Sequence, residues 1–311
     1  MKKSRILDGA NQARFVPPYI LSLLLAVIFV QGGQQLAYQA LEPISAVLSL
    51  MLGFLGQGGF FEIFFNFALP FLLFGFVFMI LALFLWVRWA EGRPLATLGF
   101  VKKGSLVELV KGLAVGFLLF SLVALLMLLS GAGSFEWGQL TLEPFLYILI
   151  LLPLWMIQGG AEELVTRAWL LQVAVKKTNL PIGLLTSSLL FALLHLGNPD
   201  IGILPIVNIA LFGLFASLYL LQTDNVWGII GLHTAWNFTQ GNIYGFSVSG
   251  TGVDAAVLNF IPKSEWSWLT GGAFGAEASI FSSLILLLAV LYLLLKMKKD
   301  GSLTEIVGKT Q

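Results

Sequence analysis

Apolar residues in this chain run in long blocks separated by short polar or charged clusters. A helix needs about 20 mainly apolar residues to cross the hydrocarbon core of a bilayer. By that measure, spans are predicted near 17–38, 60–87, 106–130, 144–175, 180–196, 203–221, 226–246 and 279–297. The stretch 44–56 is apolar but too short to cross alone, so it reads as an interfacial or re-entrant piece on the loop after the first span. The pattern predicts an all-α, polytopic transmembrane helix bundle of about eight spans. No internal repeat, low-complexity tract or domain linker interrupts it, which implies a single membrane domain over 1–311, with N-terminal spans at 17–88, an external loop at 247–278 and a last span at 279–297.

Composition strengthens this picture. The chain is 58% hydrophobic and 11% charged, with a mean hydropathy of +0.92, so most of it must lie in lipid. A net charge of +1 gives no field for binding nucleic acid, and the absence of cysteine excludes disulfides, thiolate metal ligands and a cysteine nucleophile. Charge placement predicts orientation, because cytoplasmic loops retain lysine and arginine. Arg88, Arg93, Lys102 and Lys103 share one loop, Lys176 and Lys177 another, and Lys296, Lys298 and Lys299 follow the last span. With both termini cytoplasmic, all fall on one side of a multi-pass cell-membrane protein. The loops assigned outside, 131–143 and 247–278, hold Glu136, Glu143, Asp254, Glu265 and Glu277, with only Lys263 in opposition. Lys2, Lys3, Arg5 and Arg14 precede the first apolar run without a small-residue cleavage site, so Val16 to Tyr38 reads as a retained span.

Two features have packing or loop readings. Gly112 with Gly116, and Gly213 with Ser217, recur four residues apart, as expected where helix backbones approach closely in lipid. The cluster Gly271, Gly272 and Gly275 in loop 247–278 fits a structured external lid, whereas loop length alone favours an idle loop.

The chemistry is concentrated in three spans. Charges inside a bilayer cost about 2.5–3.5 kcal/mol each on insertion scales and are paired or functional by default. The fourth span nevertheless carries Glu162, Glu163 and Arg167 within six residues. Glu163 and Arg167 stand four apart in the favourable order and can neutralise each other, with no further purpose needed. Glu162 points about 100° away from Glu163. The fifth span ends with Phe191 and His195 one turn apart, and the seventh places His233 and Asn237 likewise. A lone histidine in an apolar helix is usually a satisfied core residue; here both histidines of the chain lie in spans and each has a companion at helical spacing. At 1.5 Å per residue from Lys177, Glu163 lies about 21 Å deep and His195 about 27 Å less the turn, so the two can be level. His233 follows Asp224 by only nine residues, so it joins them only if the 222–225 turn sits below the headgroups. Asn208 on the sixth span reads as a helix-to-helix hydrogen bond.

A desolvated carboxylate can take a proton from water and a histidine can hold or relay it, which is the equipment of hydrolysis. A second histidine with an asparagine amide can stabilise the oxyanion of a tetrahedral intermediate. The same groups could instead bind zinc through Glu162, His195 and His233, leaving a fourth position to water. No His-Glu-x-x-His helix is present, so the metal reading rests on ligand types alone, and no Gly-x-Ser-x-Gly elbow supports a serine nucleophile.

Glu162-Glu163-x-x-x-Arg167, Phe191-x-x-x-His195 and His233-x-x-x-Asn237, in that order, resemble the three motifs of the CAAX-protease and bacteriocin-processing (CPBP, or Abi) intramembrane proteases, which include the type II CAAX prenyl endopeptidases. The resemblance covers a catalytic core of roughly 90–245. It implies that Glu162 with His195 activates water, that His233 and Asn237 form the oxyanion hole, and that Glu163, Arg167 and Phe191 support the site. It leaves a glutamate mechanism and a metal-dependent one both open. Many members follow the arginine with glycine; Ala168 stands there in this chain and permits nearly the same close packing. The implied substrate is a membrane-associated peptide or protein. Two other classes compete: a non-catalytic membrane adaptor or bacteriocin immunity protein that binds a sensor kinase or bacteriocin target, and a proton-coupled carrier. A carrier commonly shows repeated halves, and none is visible.

Overall fold

The computed structural model describes residues 5–55 and 68–309; Lys2, Lys3, residue 56 and the 60–67 part of the second expected span lie outside the described residues. Among the described residues, the nine longest helices carry the architecture: α1 (Tyr19–Val27), α2 (Gly33–Leu55), α3 (Leu69–Ala90), α4 (Ser105–Leu129), α5 (Leu142–Lys177), α6 (Leu180–Leu193), α7 (Ile203–Thr223), α8 (Val226–Phe238) and α9 (Ile280–Lys299). A wide turn at Ile28–Gly32 joins α1 to α2. Strands β1 (Gly133–Trp137) and β2 (Leu258–Pro262) form a small antiparallel sheet, with Phe135 opposite Phe260.

Among the described residues, six helical stretches are long and apolar enough to cross a membrane: Tyr19–Ile44, α3, α4, α5, α7 and α9. This is a polytopic helix bundle, as the hydrophobic blocks imply, although two of the eight expected crossings are short helices. α6 has 14 residues, about 21 Å of rise, and α8 has 13 before a wide turn at Thr239–Ile243. A helix of this length can end inside the bundle, where its last turn serves a site. The 44–56 stretch is also corrected, because α2 continues through Pro43 to Leu55 without the loop predicted between them. Proline removes one backbone donor and its ring crowds the carbonyl four residues earlier, so a helix that runs through it does so at a cost.

The packing that matters most holds α8 at the centre. A Cβ at Gly112 would collide with the Gly228 carbonyl, and one at Gly116 with the Leu232 carbonyl, so the glycine pair lets α4 lie directly against the α8 backbone. On the other side, Gly213 brings α7 against Ser188 of α6, where a Cβ would stand 3.0 Å from the serine Cα. The polar turn before α8 is covered by protein. Asp224 adopts a left-handed conformation and its Oδ1 accepts from the Ile6 amide at 2.8 Å, while the Val226 amide donates to the Gly99 carbonyl at 3.0 Å. These bonds satisfy the turn internally, so α8 can begin below the surface and carry His233 inward.

Arg93 departs from its expected place as a free loop charge. Its guanidinium is 0% exposed and paired with Glu91 at 2.6 Å. The loop charges that remain exposed are Arg88, Lys102 and Lys103.

Candidate active site

α5 delivers the acidic groups. Its regular helix ends at Glu163 and passes into a wide turn at Leu164–Leu170, an irregularity frequent at functional sites. Glu163 is fully buried, and its Oε1 accepts from Arg167 Nη1 at 2.9 Å and from His233 Nδ1 at 2.8 Å. The predicted Glu163–Arg167 pair is therefore present, and the carboxylate also holds His233. Glu162 faces the other ring nitrogen, with Oε2 3.6 Å from His233 Nε2. One imidazole thus stands between two adjacent carboxylates. That contact is possible because residue 159 is glycine: a Cβ there would lie 3.0 Å from His233 Cγ.

α6 stops at Leu193, so His195 sits in the turn just beyond the helix and not within a span. Its Nδ1 lies 2.8 Å from the Phe191 carbonyl. A carbonyl can only accept, so Nδ1 carries the proton and Nε2 keeps a free lone pair. The same bond satisfies one of the carbonyls left open at a helix C-terminus. The Phe191 ring packs edge-on against both imidazoles, with centroids 4.7 Å from His195 and 6.1 Å from His233. Its face covers the Arg167 guanidinium, whose Cζ lies 3.9 Å from the ring centroid. Phe191 therefore supports the site by holding a cation on its face and two histidines at its edge.

One turn beyond His233, Asn237 donates from Nδ2 to Gln158 Oε1 at 2.8 Å. Glu162, His195, His233 and Asn237 all line one cavity of about 180 Å³, together with Gln158. Arg167 and Glu163 stand behind its wall. Asn208 borders the cavity, but its amide is occupied between helices, donating to the Glu277 and Ser279 carbonyls and accepting from Ser283. That is the interhelical bond its position implied.

Two contributors were not anticipated. Gln158 stands four residues before Glu162 on the same helix face, a spacing that could have flagged it. Glu277, read as a loop charge, reaches back so that Oε1 accepts from Trp236 Nε1 at 3.1 Å and Oε2 accepts from the Ser249 amide and hydroxyl at 3.0 and 2.7 Å. With Val248, Ser249 and Thr251 it brings the 247–278 segment to the rim of the cavity. No local pattern announces that contact.

Among the described residues, no three histidine, aspartate or glutamate side chains, Glu162, His195 and His233 included, gather closely enough in this arrangement to share an ion; Nδ1 of each histidine is bonded, which leaves Nε2 of each outside those bonds.

Residues 144–239 match the family model described as Type II CAAX prenyl endopeptidase Rce1-like. The matched segment, about a third of the chain, contains every residue of the three motifs; it leaves out Glu277 and the helices α1 to α4 and α9. No curated protein and no solved structure matches the chain. Through this segment, which supplies Glu162, Glu163, Arg167, both histidines, Gln158 and Asn237, the chain is similar to the Rce1-like type II CAAX prenyl endopeptidases.

Proposed function

We propose that the protein is an intramembrane peptidase that hydrolyses a peptide bond of a membrane-associated protein or peptide. The observation that carries this reading is the single cavity lined by Glu162, His195, His233 and Asn237, in which Nε2 of His195 and one N–H of Asn237 are unbonded. Substrate water entering the cavity gives a proton to Glu162, assisted by the His195 Nε2 lone pair. The water oxygen attacks the scissile carbonyl carbon, and the carbonyl electrons move onto its oxygen.

That oxyanion needs donors. His233, whose Nδ1–H serves Glu163, offers the oxyanion an N–H from Nε2 when the ring carries both protons. Asn237 supplies the second donor, since one of its two N–H bonds is engaged by Gln158. Collapse of the intermediate breaks the carbon–nitrogen bond, and the proton held by Glu162 passes to the leaving amine. Arg167 neutralises Glu163 and so permits a charged histidine support inside the bundle. No step requires a metal ion.

The test is Glu162→Gln in purified protein assayed on a membrane-embedded reporter peptide. Because the change keeps shape and removes a charge, folded yield should be unchanged. Hydrolysis should fall at least about 10²-fold, the scale of a lost general base. A folded variant with normal cleavage would overturn the role of Glu162 as the base, and normal cellular function with no cleavage in either form would point instead to a membrane adaptor.

A further inference from the structure

The helices that carry Glu162 and His233, α5 and α8, are tied to each other on either side of those residues, and the two ties differ in kind. On one side Trp155 Nε1 of α5 donates directly to Asn242 Oδ1, in the turn that follows α8, at 2.8 Å. On the other side the tie is made by residues that precede the first span. Arg5–Asp8 and Gly9–Gln12 form two short helical turns, in which Ile6 and Ala10 are each 1% exposed. The Ile6 amide donates to Asp224 Oδ1 in the turn before α8, and the Ala10 carbonyl accepts from Lys176 Nζ near the end of α5 at 2.9 Å. The contact is close along its length: a Cβ at Gly9 would overlap the Thr97 carbonyl and Gln172 Oε1 of α5, and one at Gly99 would meet the Ile6 side chain.

His233 stands nine residues along from Asp224, about 13.5 Å of helix rise, so a displacement at the foot of α8 is carried to the imidazole. The glycine contacts with α4 hold α8 sideways, but a glycine face has no side-chain ridge to fix the helix along its own axis. Asp224, left-handed at the foot of α8 and bonded to the Ile6 amide, supplies that stop. We propose that Asp224 is a positioning residue: through Ile6 and the segment that also grips Lys176, it fixes α8 against α5 and so sets His233 between Glu162 and Glu163. The inference rests on the hydrolase reading for what His233 does.

Two substitutions separate the bond from the backbone. Asp224→Gly keeps the left-handed conformation and removes the acceptor, whereas Asp224→Asn tolerates that conformation and keeps an acceptor oxygen. With full-length protein in proteoliposomes and the membrane-embedded reporter, Asp224→Gly should lower kcat about tenfold and leave KM within about twofold, as a small misplacement of a reacting group implies. Asp224→Asn should stay within about twofold of the unmodified protein in both. A folded Asp224→Gly protein that loses thermal stability but keeps its kcat overturns the proposal. So does an asparagine variant as slow as the glycine one, because the acceptor would then not be what matters. Should Asp224→Gly fail to fold, Lys176→Met opens the same tie from an exposed position on α5: a fall in kcat of about threefold supports the proposal and an unchanged kcat overturns it. If the unmodified protein cleaves no peptide, the hydrolase reading bears the failure and the place of His233 is read directly. In protein carrying isotope-labelled histidine, the NMR signal of the Nδ1–H bonded to Glu163, told from that of His195 by His195→Gln, should move in Asp224→Gly and stay in Asp224→Asn. A signal that stays in both overturns the proposal.

Discussion

Two buried ionic clusters lie along α5, and they are built to different ends. In the first, Arg93 bonds Glu91 through Nε and reaches Thr97 and Gln172 through Nη1. Both oxygens of Glu91 are used, because Oε1 also accepts from the indoles of Trp86 and Trp169. Only Arg93 Nη2 lacks a partner, and none of these groups lines the cavity. In the second, Glu162 Oε2, Glu163 Oε2 and both Nε and Nη2 of Arg167 have no hydrogen-bond partner, and Glu162 and His233 open into the cavity. Burial of charge is therefore a poor marker of function by itself. What separates the clusters is where they lead: the first spends nearly all its donors and acceptors on holding α3, α5 and the connecting loop together, and the second keeps Glu162 and His233 in reserve on the cavity wall, where a substrate could meet them, with Glu163 and Arg167 buried behind.

The comparison breaks most readily at Arg93. Arg93→Ala strands Glu91 in the interior, which should cost about 3–5 kcal/mol and remove most folded protein from the membrane fraction. Arg93→Met combined with Glu91→Leu should recover yield and keep cleavage per folded molecule unchanged, measured by size-exclusion yield and reporter hydrolysis. Cleavage lost in that folded double variant would show that the closed cluster also serves the reaction.

Arg167→Ala should lose folded yield for the same reason, by a similar or slightly smaller amount because His233 still contacts Glu163. Adding Glu163→Ala should restore part of the yield but no activity, since His233 then loses the carboxylate on Nδ1. Yield and activity returning together would contradict the role given to that bond.

These differences also mark what local sequence could and could not supply. The helical blocks, the Glu163–Arg167 pair four residues apart and the motif residues that meet at the cavity were legible because each depends on helical period or span length. Glu91 and Arg93 are two apart in a connecting loop, where no period links them, and their partners Trp169 and Gln172 lie some 80 residues on. His195 was placed inside a span because hydropathy does not report that α6 stops at Leu193. The bond from Glu163 to His233 spans 70 residues, and only the packed helices reveal that the histidine takes one carboxylate on each nitrogen. Loop 247–278 gave no sign that Glu277 returns to Trp236.

A smaller change sharpens the contrast from the closed side. Trp169 is fully buried, donates to Glu91 at 2.7 Å and packs edge-on against Phe29 with centroids 5.3 Å apart. Trp169→Phe keeps a ring but removes a donor to a charged acceptor, a loss of about 1.5–3 kcal/mol. Thermal stability in detergent should fall, while kcat and KM at a temperature where the variant remains folded should match the unmodified protein.

The smallest expected effect is the reverse of that one, and it lies at Gly159. An alanine Cβ at this position would stand 3.0 Å from Cγ, 3.2 Å from Cβ and 3.3 Å from Cδ2 of His233, inside the usual 3.5–4.0 Å carbon contact. The helices must part or the imidazole must shift by a few tenths of an ångström. Overpacking opposes the variant, but alanine is favoured over glycine within a helix by about 0.8–1.0 kcal/mol, so folded yield should change little. His233, however, is held between Glu162 and Glu163, and moving its ring disturbs both contacts at once. Since a misplacement of 1 Å can cost about 10²-fold, a shift of tenths should lower kcat roughly three- to tenfold with little change in KM. Gly159→Ser should behave similarly and Gly159→Val worse, in proportion to the bulk set against the ring. Unaltered kcat in a folded Gly159→Ala protein would mean that the close approach of α5 to α8 is ordinary packing, and that the reserve of the open cluster does not depend on how tightly His233 is held.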